Sequence, residues 1–332
     1  MTFRTFAVAS VMATTMLFGQ AMAADLVIYD ALDQAGTAVK AFEAKTGLKV
    51  DLVEPGSTGE TLGKIAAEGD NPQFDIVWVD GSAVLERMAE HHVLQPIPAD
   101  VYGKVNFTAF GKTLIPASHA FIPTGASTTA IEVNTSKVSK ADAPKSWAEL
   151  VKYAGFVAAK DPNFSGPAYQ WLAGLFQTNG VEEGKVLLTK TLTNKAISGL
   201  TSGGKINKAI LSGNAKIGIN QDSGILAQQA KGEPVIAIYP SEGSVVLPQG
   251  LGISAKTKHV DAAKTFIAYV ESNEGQTAMQ KGDDTDFYFM PIIDGVKAKA
   301  ERPQIKWIVL NDKAASAHEI EWKQWYKDNF GQ

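Results

Sequence analysis

Apolar and polar positions in the first third of the chain fall into a repeating order of short apolar runs and helical stretches. Residues 25–29 form an apolar run ending at Asp30, and after a loop residues 36–46 keep a helical period that stops at Gly47. Residues 48–53 alternate with period two, Pro55-Gly56 turns the chain, and residues 58–67 read as a helix. A third unit follows, with residues 74–79 as a buried strand, Asp80-Gly81 as a turn and residues 82–91 as a helix capped by Ser82. This alternation predicts a mainly parallel sheet covered by helices. In such sheets ligands bind beyond the carboxyl ends of the strands, where loops meet helix N-termini.

The middle of the chain carries a second core. Residues 145–153 and 169–188 have helical patterns, whereas 216–220 and 234–239 read as strands. Residues 121–134 and 245–254 are strand-like and lie where the chain would pass from one lobe to the other and back, so they are read as a hinge. A helix is expected over 261–271 and an amphipathic aromatic helix over 307–322. The fold class is therefore α/β with two lobes, each a mixed, mainly parallel sheet flanked by helices and joined by crossing hinge strands. The expected division is 24–125 and a return segment 248–283 for the first lobe, 126–247 for the second, and C-terminal helices over 284–332 packed on the second lobe.

Three features of composition change this picture. Arg4, the apolar run 6–18 and the small-x-small sequence Ala21-Met22-Ala23 form a secretory signal peptide over residues 1–23. Its apolar core is shorter than the roughly 20 residues a spanning helix needs, so the mature chain is expected to be soluble and exported. A net charge of -4 gives no support for nucleic-acid binding. With no cysteine and only five histidines, none in an i, i+4 pair, thiolate chemistry is excluded and a histidine-built metal centre is not expected. No cofactor is implied.

Several loops place glycine and hydroxyl residues before helices or on the crossing strand: Gly56-Ser57-Thr58, Gly81-Ser82, Gly125-Ala126-Ser127-Thr128 and Ser165-Gly166. Helix N-termini present unpaired amides and a positive dipole end, which suits a phosphate, phosphonate or carboxylate. Each such residue taken alone is also an ordinary N-cap, stabilising its helix by about 1 kcal/mol without any ligand. Asp30 and Asp33 in the first loop either face the cleft or cap a helix. Tyr288, in an aromatic cluster, either stacks on a ligand or belongs to the core.

The order of segments resembles a known family. The pieces that carry the resemblance are the stretches 41–50, Gly56-Ser57-Thr58-Gly59-Glu60, Phe74-Asp75-Ile76-Val77-Trp78, the loop 161–168, Tyr239-Pro240-Ser241-Glu242-Gly243-Ser244, and 261–266 running to Asn273-Glu274-Gly275-Gln276. Together they resemble the periplasmic solute-binding proteins of ABC importers, in the ferric-ion-binding-protein-like group. That resemblance implies a type II two-lobed periplasmic binding protein, monomeric, that hands a small solute to a membrane permease and its ATPase. Members of the group carry ferric iron, thiamine, aminoethylphosphonate, phosphoglycerate or sugar phosphates.

Two departures bear on the solute. Iron binders of the group have adjacent tyrosines soon after a Gly-x-Asn strand, whereas here Gly218-Ile219-Asn220 is followed by Gln221-Asp222. Hard ferric iron favours anionic oxygen ligands, so the missing pair moves the expectation toward an anionic organic solute. Pro167 stands where many relatives have threonine, removing a hydroxyl and an amide donor. Relatives that bind sugar phosphates have acidic residues near the positions of Asp222 and Glu242, which implies contacts to hydroxyl or amino groups. Ferric iron transport remains one alternative, and an exported enzyme on the same fold another. The chain has no nucleophile elbow, phosphate loop or zinc helix motif. Signalling instead of import is equally compatible with these residues.

Overall fold

The computed structural model describes residues 24–331, so the expected signal peptide lies outside the described residues. The first lobe opens with β1 (Leu26–Asp30), α1 (Ala35–Thr46), β2 (Val50–Val53), α2 (Thr58–Glu68), β3 (Ile76–Asp80) and α3 (Ser82–Glu90). These match the three expected units to within a few residues. β4 (Leu94–Gln95) and the short helices α4 (Ala99–Tyr102) and α5 (Ala109–Lys112) lead to the long strand β5 (Ile122–Asn134).

The second lobe contains β6 (Val157–Ala159), α6 (Gly166–Asn179), α7 (Val181–Thr191), α8 (Lys195–Ser198), α9 (Gly203–Leu211), β7 (Ile217–Gln221), α10 (Asp222–Ala230) and β8 (Val235–Ile238). The chain returns through β9 (Ser244–Ser254), α11 (Val260–Val270) and α12 (Asn273–Met279), and ends with β10 (Trp307–Ile308) and α13 (Asp312–Phe330). The expected helix over 169–188 is two helices, broken at Gly180, whose φ of 87° ends the α6 ladder.

β5 and β9 are the crossing strands. Residues 122–128 of β5 pair antiparallel with β9, and the remainder pairs with β7 and β8. β9 in turn pairs with β3 from Gln249 to Ile253. Every residue of both strands is buried, so the hinge is a continuous piece of sheet and not a flexible linker. Among the named strands, parallel pairing is confined to β2-β1-β3, β6-β7 and β9-β10, and β5 runs antiparallel to all its neighbours.

Each lobe has its own apolar core. Phe42, Trp78 and Phe266 meet edge-to-face in the first, with Phe42 and Phe266 centroids 5.1 Å apart. Trp147, Trp171, Phe176, Trp322 and Tyr326 pack in the second. The expected block of C-terminal helices on the second lobe needs correction. Phe289, Ile292 and Ile293 insert into the first core, the stretch up to β10 holds only the one-turn 3-10 helix Thr285–Tyr288, and α13 reaches the second core through Trp322, Tyr326 and Phe330. The polar face of α13 meets the first lobe, with Arg87 Nη1 3.1 Å from Glu319 Oε2 and Ser316 Oγ donating to Glu90 at 2.6 Å.

Candidate functional site

Between the lobes lies a cavity of about 160 Å³, walled by the N-termini of helices from both sides. Ser57 caps α2 by accepting from the Glu60 amide at 3.2 Å, while its own amide donates to the Glu60 carboxylate at 2.8 Å. Across the cleft Ser165 caps α6, accepting from the Ala168 amide at 3.3 Å, and Ser202 caps α9, accepting from the Lys205 amide at 3.3 Å. Thr58, Gly166, Gly203 and Gly204 complete these edges. Three positive helix ends therefore border one small space.

The lobes are pressed together here. A β-carbon at Gly166 would lie 2.8 Å from the Asp80 carbonyl oxygen and 3.0 Å from Thr58 Oγ1, and one at Gly59 would lie 2.9 Å from the Asn163 carbonyl oxygen. Only glycine permits that approach of second-lobe backbone to the first lobe.

Charged groups line the same cavity. Lys160, just after β6, is 7% exposed, and burial lowers its ammonium to about 8. Asp80, the last residue of β3, is 4% exposed, and burial together with the nearby Asp286 pushes its carboxyl well above the usual range. Asp286 accepts from the Asp33 amide at 3.0 Å and from Gln221 Nε2 at 3.3 Å. Burial, and then the Asp33 charge, raise it to about 7. Asn220, also on the wall, is held by Nδ2 donation to Glu132 at 2.9 Å and to Asn207 at 2.8 Å.

Of the residues singled out in the sequence, Ser57, Thr58, Ser165, Gly166 and Gln221 line the cavity. Asp33 stands at its rim against Asp286, while Asp30 lies behind the wall with Oδ2 accepting from the Leu32 amide at 3.1 Å. Gly81 is the N-cap of α3, in place of Ser82, and lies outside the lining beside Gln170. Ser82 donates instead to Asp312 and accepts from Gln170 Nε2 at 3.1 Å. Ser127 accepts from Gln221 Nε2 at 3.0 Å and so orients a wall residue. The Thr128 hydroxyl donates to the Val245 carbonyl at 2.7 Å, within the hinge.

The other acidic expectations are corrected by their surroundings. Asp222 lies outside the cavity lining, fully buried against Arg302, with Nε to Oδ2 at 2.6 Å. Glu242 accepts from the Trp147 amide at 3.0 Å, a contact between segments far apart in the chain, and lies outside the cavity lining. Tyr288 is buried, with the Lys299 ammonium 4.5 Å from its ring centroid.

Asp80, Lys160, Ser202, Asn220 and Asp286 were not singled out. Ser202-Gly203-Gly204 carries the same hydroxyl-glycine signal as the loops that were, and Asp80 is an ionisable residue closing an apolar strand. Lys160 has no local signature.

The family model for bacterial extracellular solute-binding proteins matches residues 37–314. The chain belongs to this family. An uncharacterized protein of Haemophilus influenzae is 28% identical over 255 residues, covering 74% of this chain and 72% of that one. The major ferric iron-binding protein of Neisseria meningitidis serogroup B is 23% identical over 326 residues, covering 90% and 92%. The periplasmic binding protein AfuA from Actinobacillus pleuropneumoniae, solved with fructose-6-phosphate bound, superposes with a TM-score of 0.79 at 22% identity, covering 92% of this chain and 98% of that one. The fold is that of the type II periplasmic binding proteins. As a solute-binding protein of an ABC importer, the chain binds its solute without transforming it, as the family's members do. Among the described residues, no tyrosine or histidine lines the cavity, and no group of three histidine, aspartate or glutamate side chains is placed to hold a metal ion.

Proposed function

We propose that this chain works in the periplasm, capturing a small anionic organic solute, a sugar phosphate or another phosphorylated or phosphonate compound, for delivery to a membrane permease. The observation that carries this reading is the meeting of the α2, α6 and α9 N-termini with the Lys160 ammonium around one cavity. Amides at helix ends and a buried ammonium are donors matched to an oxyanion. Asn220, Gln221, Asp80 and Asp286 supply further donors and acceptors for hydroxyl groups on the remainder of the molecule.

The similarity to a ferric iron-binding protein supports a metal cargo instead. The donor set of the cavity, rich in amides and carrying a lysine, favours the oxyanion over a hard trivalent cation. Ligand between the lobes stabilises the closed arrangement, and that is the form a permease would recognise.

Thermal-shift screening against sugar phosphates, glycerol 3-phosphate, alkylphosphonates, carboxylic acids and ferric iron tests the reading, because a bound solute raises the melting temperature. At least one phosphorylated or phosphonate compound is expected to stabilise the protein, and Lys160→Met to weaken its binding tenfold or more. Stabilisation by ferric iron alone would overturn the proposal.

A further inference from the structure

Closure gathers carboxyl groups from opposite lobes into one dry space. Asp30 and Asp80 sit at the ends of β1 and β3 in the first lobe, 1% and 4% exposed. Asp286, 6% exposed, sits in a turn whose Thr285 packs against Gly224 of α10 in the second lobe. Reciprocal amide-to-carboxylate bonds draw the two sides together: the Asp33 amide donates to Asp286 Oδ2 at 3.0 Å and the Asp286 amide to Asp33 Oδ2 at 3.5 Å.

Among the described residues, Lys160 is the one basic side chain that lines the cavity. If Asp80, Asp286 and Lys160 were all ionised, the cavity would carry a net charge of -1 before any solute entered, with the buried Asp30 behind its wall adding to the negative field. An anionic solute adds to that excess, in surroundings where little water screens it. The rest of the neighbourhood does not balance it. Asp222 is already paired with Arg302, and Lys231 with Asp284 at 3.1 Å. Asp33 at the rim and Glu54 after β2 add further negative field.

Resting on the anionic-solute reading above, we propose that closing over the solute takes up a proton, carried by Asp80 or Asp286 on the wall of the shared cavity, so that capture tightens as the medium acidifies. Opening the cleft would hydrate the two carboxyls and return them toward the ordinary range for aspartate. In the closed one burial raises both, Asp286 to about 7. Near pH 7 and below, the closed state thus binds more protons than the open state, whereas above that Lys160, lowered to about 8 by burial, acts in the opposite sense. The advantage of closure is full in acid and is lost as pH rises through about 7.

Two measurements on the whole mature chain test this. Because the chain has no cysteine, Lys40→Cys on α1 and Lys208→Cys on α9 allow paired labels to report the distance between lobes. The closed fraction of solute-free protein is expected to rise as pH falls from 7.5 to about 5.5, and Asp286→Asn to be more closed and less dependent on pH over that range. Titration calorimetry with glucose 6-phosphate and with ethylphosphonate, at pH 7 in buffers of different ionisation enthalpy, is expected to show uptake of roughly half to one proton per solute bound.

A closed fraction independent of pH overturns the proposal whatever the protein binds. So does binding without proton uptake, the result expected of a solute whose own ammonium group supplies the missing positive charge. If closure follows pH but no phosphorylated or phosphonate probe binds, the anionic-solute reading fails and proton-linked closure stands. Asp80→Asn provides the same comparison should Asp286→Asn not fold.

Discussion

Arg302 Nε donates to Asp222 Oδ2 across 2.6 Å, with 5% and 0% of the two side chains exposed. The same carboxylate accepts from the Thr128 amide at 3.0 Å and from the Tyr239 hydroxyl at 3.1 Å. One acidic residue thus joins the hinge strand β5, the first turn of α10, the loop after β8 and the segment that precedes β10.

Removing either partner of this pair should destabilise the fold strongly, because the other charge is left buried and unmatched. Arg302→Ala or Asp222→Ala is expected to cost about 3–5 kcal/mol in urea unfolding. Arg302→Met combined with Asp222→Asn should lose less than either alanine variant, since no uncompensated charge remains. Loss of solute affinity in Asp222→Ala at unchanged stability would instead return this residue to a solute-facing role.

Gly59 separates stability from closure. It lies inside α2, where alanine is the better helix former by about 1 kcal/mol. An added β-carbon would nevertheless come within 2.9 Å of the Asn163 carbonyl oxygen and 3.1 Å of Phe164 Cα. Gly59→Ala is therefore expected to keep or raise the melting temperature of the free protein while weakening solute binding tenfold or more, measured by calorimetry. Unchanged affinity would show that the lobes need not approach this closely.

Asp312 ties α13 to α3 by accepting from Ser82 Oγ, and burial pushes its carboxyl up to about 6. A carboxyl raised on folding favours the native state only while protonated. That contribution is full below about pH 4 and is lost as pH rises through about 6. Asp312→Asn keeps an acceptor for Ser82 and removes the charge. At pH 7 it should be more stable than the parent by on the order of 1–2 kcal/mol after allowance for solvent screening, and equal to it near pH 4. Chemical denaturation at both pH values measures the difference.

The strand-loop-helix units of the first lobe were legible because each rests on local causes: an apolar run, a turn dipeptide, a capping residue. Ser57 and Ser165 could be picked out for the same reason, as hydroxyls at helix starts, and both line the cavity. The reading failed where one residue answers to something far along the chain. Asp222 looked available for a solute because nothing near it in sequence is basic, yet its partner Arg302 arrives 80 residues later. Ser82 looked like a cap, but Asp312, 230 residues away, takes its hydroxyl. At Asp286 the aromatic residues that follow drew attention to Tyr288, while the aspartate was the group facing inward.

The sequence by itself determined the alternation of strands and helices, the two crossing strands and the supply of helix N-termini suited to an anion, because periodicity and capping are properties of neighbouring residues. Only the tertiary structure decided which of those ends meet, and that Lys160, Asp80 and Asp286 share their cavity. Their protonation depends on water being excluded and on charges brought in from distant segments. Neither exists until both lobes are folded and closed.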